Sequence, residues 1–244
     1  EHEYQKTLAL RPGHISSQIG LSSVYNKKGF FDQATKTLEL MIKKNLSSKD
    51  PNLALARLNL GELYGKTRKI EKAITEWKAA IKINPSLLPA HFNLGTAYMM
   101  KGKLQLAESA FELCLKLNNH YEPALFNLAK VYQRQEKWAE SPQQFKAFLE
   151  VAGPRPSAYT QIGFNFNRQS DWENAQKFLE KSASLQPNNL NTRITLAETF
   201  ANLGQVKKAR EHLEAALEML PNSNQKEAID KMMLGLTDPE NVAP

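Results

Sequence analysis

The chain has 244 residues, enough for one large domain or two small ones, and its 41% hydrophobic, 9% aromatic and 23% charged residues are typical of a globular protein. A mean hydropathy of −0.51, with no apolar run near the ~18 residues that a membrane helix needs, excludes a transmembrane helix. The formal net charge of +7 permits an acidic partner but does not require nucleic acid.

A sequence pattern with a period of 34 residues runs through most of the chain. Its aromatic column is Tyr64, Tyr98, Tyr132, Phe166 and Phe200. An aliphatic residue precedes each aromatic by four positions and a small residue precedes it by three. A small residue follows nine positions later and, in most copies, an aromatic follows thirteen positions later. Apolar residues spaced by three and four predict two amphipathic helices in each copy, which a glycine or polar turn separates.

The predicted elements follow one another from the start of the chain. Residues 1–14 match the second half of the pattern, so we expect the second helix of an incomplete repeat, either in a fragment of a longer repeat protein or in a chain capped by one lone helix. Six full repeats follow, at 15–48, 54–87, 88–121, 122–155, 156–189 and 190–223. A five-residue insertion within Asn45–Pro51 predicts a tolerated loop. Residues 224–235 predict a capping helix with a polar outer face, and residues 236–244 a loose tail.

The fourth repeat departs from the pattern at its second helix. Pro142 would break a helix interior but suits a first helical position, so this helix should begin about one turn late. Ser141 is then expected to cap it, with Gln144 completing a capping box.

These columns resemble the tetratricopeptide repeat family over residues 15–223. The resemblance implies an all-α fold, a right-handed α-solenoid (superhelix) of antiparallel helix pairs. It also implies a protein-interaction function, with the first helices of the pairs lining a concave groove.

Helical periodicity assigns positions 4, 7, 8 and 11 of each first helix to the core and positions 2, 5, 6, 9, 12 and 13 to the groove. Position 6 carries Asn59, Asn93, Asn127, Gln161 and then Thr195. Carboxamides at repeat spacing can hold an extended peptide by its backbone. This column is similar to the asparagine ladder of the tetratricopeptide superhelix in the O-linked N-acetylglucosamine transferase family. The alternative is that these amides only solvate the groove.

Apolar side chains on the groove columns suggest anchor pockets for a ligand. Phe92 and Phe126 stand at position 5, Met99 at position 12 and Phe164 at position 9. Packing between repeats is the equally favoured alternative. The Lys at position 5 with which co-chaperone members of the family hold a terminal carboxylate is absent from every repeat.

A basic stripe follows position 13, where Arg134 and Arg168 stand, and Lys130 lies one turn before Arg134. Such a stripe could select an acidic peptide. Cations are also favoured at the C-terminal end of a helix by its dipole, which explains them without a ligand. The candidate peptide-binding residues are therefore Asn59, Asn93, Asn127, Gln161, Phe92, Phe126, Met99, Lys130, Arg134 and Arg168.

No motif in the sequence indicates catalysis, a metal site or a cofactor. The five histidines are scattered, and neither an HExxH motif nor a phosphate-binding glycine loop occurs. Cys114, the single cysteine, stands at a small-residue core position where an inert thiol is expected.

The sequence therefore predicts a non-enzymatic scaffold that binds an extended peptide segment of a partner protein in the concave groove. One alternative is the accessory interaction region of a larger enzyme or of an envelope or secretion assembly protein. RNA binding is less favoured, because the groove columns mix apolar and amide residues. Self-association through the exposed N-terminal end is a further expectation. Nothing in the sequence distinguishes cytoplasm from periplasm.

Overall fold

The computed structural model describes residues 1–46, 50–220 and 224–236, and within them it contains fourteen α-helices and no β-strand. The predicted all-α class is confirmed. The helices are α1 His2–Leu10, α2 Ile15–Lys27, α3 Phe31–Lys44, α4 Asn52–Lys66, α5 Ile70–Ile83, α6 Leu88–Met100, α7 Leu104–Leu117, α8 Glu122–Arg134, α9 Ser141–Ala152, α10 Pro156–Arg168, α11 Trp172–Leu185, α12 Leu190–Asn202, α13 Val206–Glu218 and α14 Asn224–Leu234. The middle of the predicted insertion loop, residues 47–49, and the predicted tail from residue 237 lie outside the described residues.

The helices divide between two compact units, with the boundary inside α8. Unit 1 comprises Glu1–Ala124 and unit 2 comprises Leu125–Pro244. In unit 1, α2 packs on α3, α4 on α5 and α6 on α7, and the first helices α2, α4 and α6 also contact one another in turn. In unit 2, α10 packs on α11 and α12 on α13, and the first helices α10 and α12 are in contact. One face of each unit is therefore built from first helices, and we call it the inner face.

The same turn joins the two helices of each repeat. The residue at position 15 adopts a positive φ in all six repeats, at Gly29, Arg68, Gly102, Glu136, Ser170 and Gly204. The next amide then donates back to the carbonyl of the position 11 aromatic, as Lys69 does to Tyr64 at 2.8 Å and Lys103 to Tyr98 at 2.9 Å. This bond closes the C-terminal end of the first helix and reverses the chain.

The core follows the repeat columns. The aliphatic residues at position 7 and the large apolar residues at position 24 are buried in every full repeat from the second onwards. Where position 8 is glycine, the second helix packs directly on the backbone of the first. An added Cβ at Gly61 would lie 2.4 Å from the indole of Trp77, and one at Gly163 would lie 2.4 Å from Cγ of Leu179. The two helices of a pair therefore touch at this position.

The second helix of the fourth repeat begins late, as predicted, because α9 starts at Ser141 with Pro142 in its first turn. The predicted capping role of Ser141 is wrong. Glu140 is the N-cap residue, and no side chain caps this helix. Ser141 is fully buried, and its hydroxyl donates instead to the carbonyl oxygen of Ala129 at 2.9 Å. Burial against α8 leaves the hydroxyl no path to the N-terminal amides of its own helix.

The last helix, α14, packs on unit 2 through Ile229, which is 1% exposed and lies in a cluster with Ala197, Leu213 and Ala216. Leu236, which the sequence analysis assigns to the tail, packs against the same cluster. The outer side of α14 carries exposed Glu227 and Lys231, which form an ion pair at 2.8 Å. An apolar inner side and a charged outer side suit a helix at the end of a helical stack.

The close contact at Gly61 predicts opposite effects for two neighbouring glycines of α4. Gly61→Ala should lower the free energy of unfolding by roughly 1–3 kcal/mol, because its methyl group overlaps the Trp77 indole. Gly65→Ala, one turn later, should raise it by about 0.5–1 kcal/mol, because its methyl group would meet the same ring at 3.6 Å, an ordinary contact. Urea titrations followed by circular dichroism measure both. Equal effects of the two substitutions would contradict the close contact.

His212 predicts a loss of stability in mild acid. Its ring stacks on Phe200 at 5.4 Å, and its Nδ1 lies 3.1 Å from Nη1 of Arg193, which donates to it. Burial and the charge of Arg193 lower the pKa of His212 from 6.5, although Glu211 and Glu180 oppose the shift. The folded state thus favours the neutral ring, and protonation favours unfolding. We expect stability to fall as the pH decreases through about 6.5.

Urea unfolding at about pH 8 and about pH 5.5 measures this effect. His212→Gln should lose less stability between the two pH values than the unchanged chain does. His120→Gln removes an exposed histidine and serves as the matched control. An identical pH dependence in the unchanged chain and in His212→Gln would contradict the assignment.

Candidate functional site

The amides predicted at position 6 are all half-buried on the first helices. In unit 1, Nδ2 of Asn93 on α6 lies 3.5 Å from Oε1 of Glu62 on α4, and Asn59 lies one turn before Glu62. In unit 2, Oε1 of Gln161 on α10 accepts a hydrogen bond of 3.0 Å from Nε2 of Gln133 on α8. Asn93 and Gln161 therefore reach the neighbouring first helix, so they lie along the inner face.

The two position 5 phenylalanines make their ring contacts within their own units. Phe92 lies 5.8 Å from the Phe111 ring and 5.4 Å from the Tyr121 ring. The first contact joins α6 to its own second helix α7, and the second joins it to the turn before α8. Both lie within the third repeat, so the ring packs inside its own repeat and not between repeats, which was the alternative that the sequence left open.

Phe126 behaves in the same way in unit 2. Its ring lies 5.3 Å from that of Phe145 and 5.2 Å from that of Phe148, both on α9. Met99 is half-buried on α6. Phe164 is the most exposed of the four apolar candidates, with 37% of its surface exposed.

The basic candidates are exposed on α8 and α10, and two of them rest on aromatic rings. Nζ of Lys130 lies 5.2 Å from the centre of the Phe126 ring. The guanidinium of Arg168 lies 5.3 Å from the centre of the Trp138 ring. Such contacts hold a cation in place while its outer side stays available to an anionic group. Arg134 stands in the last turn of α8 and also has a partner in the structure.

Unit 2 has a cleft of about 340 Å³ between α10 and α12 on the inner face. Its lining residues are Thr160, Gln161, Phe164, Asn191, Ile194 and Thr195. The Trp138 ring packs edge-on against Phe164 at 6.1 Å and carries Arg168, so a cation lies near the rim. The cleft thus joins an exposed aromatic face, an aliphatic side chain and a carboxamide, a combination suited to one apolar side chain and the adjoining backbone of a peptide.

The sequence analysis included Gln161 and Phe164 but did not single out Thr160, Asn191 or Ile194 as a cluster. They stand at positions 5, 2 and 5 of their repeats, which are groove columns, so the periodicity carried the signal. Thr160 is only 5% exposed, because its hydroxyl bonds Ser182 and Thr192 at 2.8 Å each. Its burial deepens the cleft at one end, and a column pattern does not reveal such depth.

Two groups that could carry chemistry, a thiol and an imidazole, are buried in this structure. Cys114 is fully buried, as predicted, and burial raises the pKa of its thiol to about 12. His91 is 7% exposed, and its Nε2 lies 2.8 Å from the carbonyl oxygen of Pro85. Within the described ranges, no three His, Cys, Asp or Glu side chains are grouped so that they could hold a metal ion. The helices of those ranges also include none with the length and hydropathy of a membrane span.

The architecture, paired helices at a period of 34 residues with a small residue at their contact, defines a tetratricopeptide repeat protein. The family model described as the cilia and flagella-associated protein 70 C-terminal domain matches residues 2–232. The chain therefore belongs to this family. Tetratricopeptide repeat domains are protein-interaction scaffolds, and the family places the chain in this class. No curated protein sequence matches the chain.

Solved structures share the fold at low sequence identity. A tetratricopeptide repeat protein from Parabacteroides merdae superposes with a TM-score of 0.72 at 17% identity, over 93% of this chain and 88% of that chain. The C-terminal part of a repeat protein from Cytophaga hutchinsonii gives 0.74 at 17% identity, over 93% and 92%. YrrB, described as a TPR protein with an unusual peptide-binding site, gives 0.69 at 18% identity, over 80% and 97%. These similarities confirm the predicted helical repeat solenoid.

Proposed function

We propose that the inner face of this scaffold binds an extended peptide segment of a partner protein. The observation that carries the proposal is the cleft of unit 2, where the exposed Phe164 ring and the Gln161 amide line one opening. An extended chain presents a side chain and a carbonyl group at each residue, so one residue of a ligand could fill the cleft and bond the amide.

The position 6 amides extend the proposal to the inner face of each unit taken by itself. Asn59 and Asn93 lie on the inner face of unit 1, and Asn127 lies on α8 at the same repeat position. Each amide offers donors and an acceptor, which suit the peptide bond whatever the ligand sequence is. The peptide-binding site in the description of YrrB, which shares the fold, supports this use of such a surface.

The charges favour an acidic partner segment. Lys130, Arg134 and Arg168 are exposed on the first helices, and the whole chain carries a formal charge of +7. We propose that Arg168 pairs with a carboxylate of the ligand beside the cleft, since its stacking on Trp138 holds it near Phe164. In this proposal the ligand is not anchored by Phe92, Phe126 or Met99. These side chains instead pack beneath the surface that the ligand contacts.

The family description also supports a wider role. It names a C-terminal domain of a cilia and flagella-associated protein, so we propose that this chain is the interaction region of a larger assembly protein. Alternatively, we propose that the larger protein is an enzyme and that this chain is its accessory interaction region. The partner would then be another component of that assembly, and the described residues would supply recognition without chemistry.

Phe164→Ala tests the cleft. The probe is the linear peptide most enriched from a phage-displayed random library, labelled with a fluorophore and titrated by fluorescence anisotropy. Loss of the ring should weaken binding about tenfold, because part of its apolar surface is buried only in the complex. Phe30→Ala removes a phenylalanine that is 52% exposed in the turn before α3, away from the inner face, and should leave the affinity unchanged. Equal affinities of both variants would exclude the cleft.

The amide column has its own test with the same probe. Asn93→Ala combined with Asn127→Ala should weaken binding about tenfold, because two hydrogen bonds that together contribute about 1.4 kcal/mol are lost only in the complex, while the melting temperature barely moves. Asn119→Ala combined with Asn188→Ala removes two exposed asparagines from turns and is the matched control. Unchanged affinity of the Asn93→Ala and Asn127→Ala double variant would exclude a role of these amides in peptide binding.

The RNA alternative has a separate test. Tighter binding of a single-stranded RNA oligonucleotide than of any peptide, with steep salt dependence, would favour it.

A further inference from the structure

A chain of buried hydrogen bonds in unit 2 leads from the backbone of α8 to the cleft. At its inner end, the Ser141 hydroxyl donates to the carbonyl oxygen of Ala129 at 2.9 Å. Nδ2 of Asn165 on α10 donates to the Ser141 oxygen at 3.0 Å. Both Ser141 and Asn165 are fully buried.

Gln133 on α8 continues the chain to the inner face. Its Nε2 donates to Oδ1 of Asn165 at 3.2 Å and to Oε1 of Gln161 at 3.0 Å. Gln161 is the last member and lines the cleft.

The order of these bonds fixes the orientation of each amide. A backbone carbonyl only accepts, so the single hydroxyl hydrogen of Ser141 is used at Ala129 and Asn165 must donate to Ser141. Oδ1 of Asn165 then faces Gln133, which must donate to it. The second hydrogen on Nε2 of Gln133 goes to Gln161, which must accept it through Oε1.

We infer that Ser141, Asn165 and Gln133 are positioning residues that hold Gln161 with its Nε2 hydrogens available to a ligand, so that this end of the cleft selects a main-chain carbonyl oxygen. The inference rests on the proposed peptide binding. The neighbouring hydroxyl of Thr195 already donates to the carbonyl oxygen of Asn191 at 2.7 Å, so its hydrogen is in use. Phe164 and Ile194 supply the apolar surface for the side chain next to that carbonyl group.

Unit 1 shows what the same positions look like without the chain of bonds. Between the second and third repeats, Ala73, Ala97 and Gly65 stand where unit 2 has Ser141, Asn165 and Gln133, and the third repeat has Ala107 and Met99 at the positions of Ser141 and Gln133. These residues cannot orient an amide at position 6 of the neighbouring helix. They also supply substitutions that the repeat framework already accommodates.

Gln133→Met tests the inference, with the phage-selected peptide as the probe. Without Gln133, the Gln161 amide can present either its oxygen or its nitrogen to the cleft, so the affinity should fall about twofold, because only one of the two orientations can donate to the ligand. Gln176→Met makes the same chemical change on α11, outside the cleft, and should leave the affinity unchanged. Should Gln133→Met fail to fold, the combination of Ser141→Ala, Asn165→Ala and Gln133→Met, which copies unit 1, takes its place.

Ester substitution along the peptide separates orientation from mere structural support. Replacing one amide linkage by an ester weakens the carbonyl acceptor at that position. At the carbonyl that meets Gln161, the ester should weaken binding about fivefold in the unchanged chain, about threefold in Gln133→Met and hardly at all in Gln161→Leu.

These experiments distinguish a failure of the proposed peptide binding from a failure of the positioning role of Gln133. Failure to select any peptide, or no effect of Phe164→Ala, would overturn the proposed function itself. Normal dependence on Phe164 combined with an ester effect as large in Gln133→Met as in the unchanged chain would overturn the role of Gln133 alone. An ester effect that is lost in Gln161→Leu and reduced in Gln133→Met, but kept in full in Gln176→Met, supports the inference.

Discussion

The contact between a small residue at position 8 of each first helix and a large apolar side chain at position 24 of its partner governs the whole arrangement. At Gly95, an added Cβ would lie 2.7 Å from the Phe111 ring, so the second helix rests on the backbone of the first. Because one side of the first helix is used up by this contact, positions 6, 9 and 13 turn away from it. The repeated contact therefore produces the inner face as a consequence of packing.

The two units share the same repeat framework but differ at position 10, which packs between neighbouring first helices. In unit 1, position 10 is apolar, with Leu63 and Ala97. In unit 2 it is Val131 on α8 but Asn165 on α10 and Thr199 on α12, and Thr199 donates to Oδ1 of Asn167 at 3.0 Å. A buried amide that loses its partner destabilises a protein by roughly 1–3 kcal/mol, so these polar contacts favour one relative placement of α10 and α12. The same two helices line the cleft of unit 2, so the polar contacts help to maintain its shape.

The framework could be predicted from the sequence because a period of 34 residues leaves one way to bury the apolar columns. The sequence could not predict the direction of side chains at positions on the border between the core and the inner face. Position 5 lies between core and inner face, and the rings of Phe111 and Tyr121 draw Phe92 to the core side. The left-handed backbone of Arg68 and Ser170 is likewise imposed by the turn and not by residue type. Ser141 matched a capping pattern, but its surroundings gave the hydroxyl a buried acceptor.

A side-chain amide that can rotate freely can present either its oxygen or its nitrogen to a peptide backbone. A hydrogen bond to another side chain of the protein removes that freedom. Nδ2 of Asn93 lies 3.5 Å from Glu62, which leaves Oδ1 of Asn93 as the acceptor for the proposed ligand. Gln161 has its oxygen engaged by Gln133, which leaves its nitrogen as the donor for that ligand. Every peptide bond carries both an N–H and a carbonyl group, so a backbone can satisfy either amide in any sequence. In the proposed complex, discrimination between partners would then come from the side chain that enters the cleft beside Phe164 and from the charge that meets Arg168.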